Sequence, residues 1–214
     1  MIEESHTNRM GEKETVIQIV GIVGSLRTGS YTRRAVETAL QGSAEAGAVT
    51  RLIDLADYNL NFRDGKDESN YTPDVFRLRN EVKEAHGVIL GTPEYHGSLS
   101  GVLKNALDLM GFDEFEGKMI GLVGVSGGRM GAFEALTTLR TVGRSLHAWV
   151  IPEQASVPEA WKIFAADGKI ADPDIENRLK EVGQQVARFA RLHKCEDAIE
   201  FLKSWQKAEP NPGA

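Results

Sequence analysis

Five mainly apolar runs, bounded by glycine or polar residues, alternate along the chain with longer segments whose apolar positions recur every three or four residues. The runs are TVIQIVGIVG from Thr15, VTRLIDL from Val49, HGVILGTP from His86, KMIGLVGVS from Lys118 and HAWVI from His147. Between them the spacing predicts helices over 32–45, 74–85, 100–110 and 129–146, with a polar stretch, DYNLNFRDGKDESNYTPD, ahead of the second. A last helix has the clearest amphipathic pattern: Ile175, Leu179, Val182, Val186 and Phe189 share one face, and Asp172-Pro173-Asp174 supplies the start. Apolar runs separated by helices are what a parallel sheet covered on both faces requires. The expected fold is therefore α/β, a doubly wound three-layer sandwich around a five-stranded parallel sheet.

The ends differ from the middle. Residues 1–14 and 195–214 are polar and read as tails on a single domain over 15–194, consistent with 214 residues and 41% hydrophobic content. A net charge of −6 and a pI near 5.5 give no general attraction to nucleic acid or to an anionic membrane surface. Cys195 is the only cysteine, which removes an intrachain disulfide framework and a cysteine-based zinc cluster. The five histidines (His6, His86, His96, His147, His193) show no metal-ligand spacing. The first segment lacks the apolar core of a signal peptide, and no run approaches the roughly 20 apolar residues of a spanning helix. The expectation is a soluble cytoplasmic protein with no membrane insertion.

Three polar, glycine-rich loops follow strands: GSLRTGSYT, TPEYHGSLSG and VSGGRMG. In an open parallel sheet such strand ends form the ligand crevice where the winding reverses. The first loop has the glycine spacing of a P-loop, but Ser30 and Tyr31 stand where the lysine and hydroxyl residue belong, and Gly21 and Gly24 do not supply a dinucleotide fingerprint. Two readings remain for it. Ser25, Arg27, Thr28, Ser30 and Thr32 with the following helix start hold one phosphate, or Ser30 simply caps the helix. In the second loop, Pro93-Glu94-Tyr95-His96-Gly97 either edges a planar heterocycle with Tyr95 over part of its face, or is an ordinary turn with a packed tyrosine.

Taken together, GSLRTGS and TPEYHGSLSGVLKNALD resemble the signatures of the NAD(P)H-dependent FMN reductase family, of the flavodoxin-like superfamily, and VSGGRMGAFEALTTLR is similar to its third. The match runs from about Thr15 to Pro152. His96 departs from it, standing where the family usually has asparagine. The resemblance implies bound FMN, with NADPH or NADH as electron donor. It puts Ser25, Arg27, Ser30, Tyr31 and Thr32 on the 5′-phosphate, Pro93, Glu94, Tyr95, His96 and Gly97 beside the isoalloxazine, and Ser126, Gly127 and Gly128 at its other edge. Glu94 is expected to be structural or to act through its main chain, and Lys104 and Asn105 to anchor loop and helix. Hydride would reach flavin N5 and then a second, small-molecule substrate by ping-pong kinetics, so no side chain need be catalytic. Arg129 and His96 are the candidates to orient that substrate or carry a proton. Quinones are the first choice of acceptor, ahead of free flavin, azo compounds and chromate. A homodimer or homotetramer is implied, with 101–110 and 149–161 as contact surfaces. Two alternatives stand beside this: a flavodoxin-type electron carrier, which the GSLR and PEYHG motifs oppose, and a regulatory protein on the same fold.

Overall fold

The computed structural model describes residues 16–165 and 168–194; the two predicted tails, with His6 and Cys195, lie outside them. Strands β1 (Gln18–Val23), β2 (Val49–Asp54), β3 (Gly87–Tyr95), β5 (Met119–Val125) and β6 (Trp149–Val157) form one parallel sheet in the order β2-β1-β3-β5-β6. A two-residue strand, β4 (Ser98–Leu99), folds back antiparallel on Glu94 and Tyr95. Every residue of β5 is buried, and β3 is buried until its last two residues, as strands covered on both faces should be. The winding reverses between β1 and β3, so the loops that leave these two strands face each other across the carboxyl edge of the sheet.

Helices α1 (Tyr31–Glu45) and α7 (Pro173–Leu192) cover one face, where Val36 and Ala39 meet Ile19, Val23, Val182 and Val186. Helices α2 (Pro73–Glu84), α3 (Gly101–Asp108) and α5 (Phe133–Ser145) cover the other through Leu78, Val82, Leu103, Leu136 and Leu139. Short helices α4 (Phe112–Phe115) and α6 (Ala160–Ile163) follow α3 and β6. No helix among the described residues is long and apolar enough to cross a membrane.

Two boundaries differ from the sequence pattern. The helix expected over 129–146 begins at Phe133, because Gly131 takes a φ of +73° and keeps 129–132 in the loop. The last strand does not stop at Ile151 but continues through Pro152 to Val157. Proline is tolerated because β6 is an edge strand and bulges there: Ile120 pairs with Val150, whereas Leu122 pairs with Gln154. Arg140 on α5 holds the bulge, donating to the carbonyls of Ile151 (3.0 Å) and Pro152 (2.6 Å) and to Gln154 Oε1 (2.8 Å). The second arginine of the third signature, Arg140, is thus a clamp on the sheet edge.

The polar stretch before α2 is pinned by the neighbouring elements. Asn105 Nδ2 donates to the Asn61 carbonyl at 3.0 Å and so anchors that stretch to α3, whereas Lys104 pairs with Asp108 at 2.6 Å within α3 itself. At the amino edge of the sheet, His86 Nδ1 accepts the backbone N–H of Gln18 at 3.0 Å, so that nitrogen must be unprotonated. Burial, then the charges of Lys194 and Lys118, hold the imidazole below its ordinary 6.5. The neutral ring is favoured by folding; its contribution is complete above about pH 6.5 and is lost as pH falls through the lowered folded value. Melting temperature is expected to fall between pH 7 and 5, and His86→Gln to flatten that slope; an unchanged slope in the variant would assign the acid sensitivity elsewhere.

Candidate active site

A network of buried hydroxyls fixes the first two loops to each other. Gly24 N–H donates to the Gly91 carbonyl at 2.8 Å, and the Ser100 hydroxyl donates to the Gly24 carbonyl at 2.6 Å. The same Ser100 oxygen caps α3 by accepting from Leu103 N–H at 3.1 Å, while its backbone N–H donates to Thr92 Oγ1 at 2.9 Å. A Cβ on Gly24 would sit 2.6 Å from that of Leu103, so only glycine lets the first loop pass. Ser100 was not among the sequence candidates. Its signal was local, a serine opening the helix expected over 100–110, and gave no hint that the hydroxyl also reaches 76 residues back along the chain.

The first loop turns at Gly29, φ +67°, and delivers Ser30 to the N-cap of α1, where its oxygen accepts from Arg33 N–H at a long 3.4 Å. Ser25, Ser30 and Thr32 are buried, and the first turn of α1 contains no acidic residue. Arg27 has no hydrogen-bond or ion-pair partner among the described residues. The second loop closes as a two-residue hairpin with His96 at φ +52° and Gly97 at +74°. Positive φ at both central positions is the primed turn that suits hairpin twist, and asparagine adopts it most readily among residues with side chains. The departure at His96 therefore falls on a position constrained by its backbone; histidine also tolerates it. Glu94 Oε2 accepts the Ala135 N–H of α5 at 3.0 Å, supplying the cap that Ala132 lacks, so its role here is structural.

In the third loop Ser126 Oγ accepts from Gly128 N–H at 3.1 Å, and Ser126 N–H donates to the Val157 carbonyl at 2.9 Å. The chain after β6 returns the contact through Ala160 N–H to Ser126 O (3.0 Å) and Glu159 N–H to Gly128 O (3.1 Å). It then crosses to α1, where Phe164 stacks on Tyr31 with ring centroids 5.4 Å apart.

These loops enclose a cleft of about 330 Å³. Lining it are Ser25, Arg27, Ser30, Tyr31 and Thr32 from the first loop, Pro93, Glu94 and Tyr95 from the second, and Ser126 and Gly127 from the third. His96, Gly97, Gly128 and Arg129 lie outside the lining, on the flanking turns. Ala160 and Trp161 add a fourth wall. As site residues they were missed, since nothing in the sequence says that the turn after β6 folds over α1.

The family profile described as NADPH-dependent FMN reductase matches residues 17–162, which include all four walls except the stacking Phe164 behind them. The chain belongs to this family. It is 32% identical over 181 residues to the NADPH-dependent FMN reductase ArsH of Shigella flexneri, covering 82% of this chain and 69% of that one. It is 34% identical over 177 residues to an FMN-dependent NADPH-azoreductase of Staphylococcus saprophyticus, covering 79% and 93%. Among solved structures it is similar to FerB of Paracoccus denitrificans, an NAD(P)H:(acceptor) oxidoreductase, with a TM-score of 0.63, 26% identity, and 83% and 99% of the two chains covered. The fold is flavodoxin-like. As a member of the FMN reductase family the chain is an FMN-dependent oxidoreductase that draws on NAD(P)H.

The residues present fit the cofactor. Free N–H groups at the start of α1, hydroxyls of Ser25, Ser30 and Thr32, and an unpartnered Arg27 form a donor set for a phosphate dianion. The first turn of α1 carries no carboxylate of its own. The remaining cleft, bordered by the half-exposed Tyr95 ring and the open backbone of Gly127, has room for a flat heterocycle.

Proposed function

We propose that this chain holds FMN between its three carboxyl-edge loops and reduces quinones or similarly flat acceptors at the expense of NADPH or NADH. The observation that carries the reading is the convergence of the phosphate donor set with an aromatic, open-mouthed cleft in one site. Bound FMN would supply the redox chemistry, taking two electrons from a nicotinamide and passing them to the acceptor. Ser25, Ser30, Thr32 and Arg27 anchor the phosphate; the Pro93–Tyr95 and Ser126–Gly127 segments fix the ring edges and offer backbone N–H groups where negative charge grows. Glu94 and Ser100 keep those segments in register with α5 and with the first loop. No side chain of the cleft is required to move a proton. Acceptor choice rests with the open face: a flat, apolar ring stacks there with little desolvation cost.

The test is an absorbance spectrum of the protein as purified, then anaerobic titration with NADPH and with NADH, then addition of a benzoquinone. A yellow protein bleached by either nucleotide and recoloured by quinone is expected. A protein that takes up no FMN defeats the reading; one that holds FMN but ignores both nucleotides is an electron carrier instead. The same proposal has the chain acting in the cytoplasm as a homodimer or homotetramer through 101–110 and 149–161, the latter starting at the half-exposed Trp149. Sedimentation as a monomer would remove that last element.

A further inference from the structure

The fourth wall carries side chains that neither the phosphate nor the flavin ring accounts for. Glu159, which opens α6, is held at φ +40°, a left-handed conformation that strains a residue with a side chain. Its N–H is fastened to Gly128 O, and its carboxylate lies between two cations, Lys162 Nζ at 2.8 Å and Arg129 Nε at 3.6 Å. Lys162 Nζ stands 4.9 Å from the centroid of the Trp161 ring. Trp161 lines the cleft and yet is 59% exposed. Arg27 lines the same cleft. On a chain of net charge −6, this corner sets Arg129 and Lys162 against one shared carboxylate, while the cleft beside it is lined by Arg27 and by Glu94, whose Oε2 already accepts the Ala135 N–H.

An exposed indole with one cation over its ring and a second across the shared Glu159 carboxylate is suited to a nucleotide: the free face of the ring stacks on a base and the cations meet a phosphate. A neutral quinone would gain nothing from the cations, which points to the donor. NADPH and NADH differ only in the 2′-phosphate on the adenosine ribose. We infer that Trp161, Lys162 and Arg129 form a subsite for the adenosine 2′-phosphate end of the electron donor and set a preference for NADPH over NADH. Glu159 is a positioning residue: it keeps the two cations together before the phosphate arrives. Arg129, nearly fully exposed and 3.6 Å from its partner, is the one free to swing to the ligand. The inference rests on the hydride-transfer reading above for its identification of the ligand as the donor.

The test reads binding alone. FMN-loaded protein is titrated in a calorimeter with adenosine 2′,5′-bisphosphate and with adenosine 5′-monophosphate. The wild type is expected to prefer the bisphosphate about tenfold or more, the scale of one charge-assisted hydrogen bond. Lys162→Gln and Arg129→Gln should each cut that preference several-fold. Trp161→Ala should weaken both ligands alike, with Trp161→Phe restoring most of the loss. Equal affinity for the two probes in the wild type, or a preference untouched by Lys162→Gln and Arg129→Gln, overturns the subsite. The two readings fail separately. A wild type that shows no preference while NADPH still bleaches its flavin sinks the subsite alone, whereas a preference present in a protein whose flavin NADPH cannot reduce sinks the hydride-transfer reading.

Discussion

Gly183→Ala is expected to destabilise the fold by about 3 kcal/mol and to lower its melting temperature by roughly 10 °C. Helices α1 and α7 approach so closely that a Cβ built on Gly183 would lie 1.7 Å from the carbonyl oxygen of Ala39, and one on Gly42 would lie 2.1 Å from that of Lys180. Both obstacles are backbone, so no rotamer change relieves them. The helices would have to part, and parting them loosens Ala35, Val36, Val182 and Val186 from the sheet face and breaks the Ser43 hydroxyl's 2.8 Å bond to Gly183 O. Burying one more methyl recovers only about 0.8 kcal/mol. Gly101→Ala is the control: it is also helical, nothing lies within 4 Å of its Cβ position, and it should be neutral or slightly stabilising. Thermal unfolding of the two variants against wild type decides the matter. Equal melting temperatures for Gly183→Ala and wild type would mean that the two helices are not in backbone contact.

That contact also marks where sequence stops being informative. The amphipathic stripe of α7 was plain in the apolar residues from Ile175 to Phe189, because burial of one helical face leaves a periodic trace. Gly183 lies within that stripe as an isolated helix-weakening residue, and its reason exists only in the neighbour it meets. The strands were legible for the same cause as the stripe, and so were the loops that end them: glycine, proline and hydroxyls must stand where backbone turns and polar groups stay unpaired. By contrast Pro152 read as the end of a strand; only the edge position and the Arg140 clamp make it a bulge. Of the cleft, the three loops fixed to strand ends could be read from order and spacing. The wall at Ala160 and Trp161 could not, since it is positioned by contacts to Ser126, Gly128 and Tyr31 that span long stretches of chain.

Ser30→Asp should weaken FMN at least a hundredfold while leaving the apo-protein as stable as before, or up to about 1 kcal/mol more so. The two effects separate the readings that the sequence left open for the first loop. As a helix cap, aspartate equals serine, and its charge also favours the positive end of the α1 dipole, where no other acid stands in the first turn. As a phosphate ligand it is the wrong sign. A carboxylate about 4 Å from a phosphate costs on the order of 4 kcal/mol per pair of unit charges in a partly exposed site, and about two-thirds of that already amounts to a hundredfold loss. Both carboxylate and phosphate would compete for the Arg33 N–H that now reaches the Ser30 oxygen only at 3.4 Å. Riboflavin has the same ring and side chain without the phosphate, so its affinity is expected to change by less than about threefold. Fluorescence titration of the variant with FMN and riboflavin, beside a melting curve of the apo-protein, reads all three quantities. Equal weakening of the two flavins would put the phosphate somewhere other than the start of α1 and leave Ser30 with capping as its whole role.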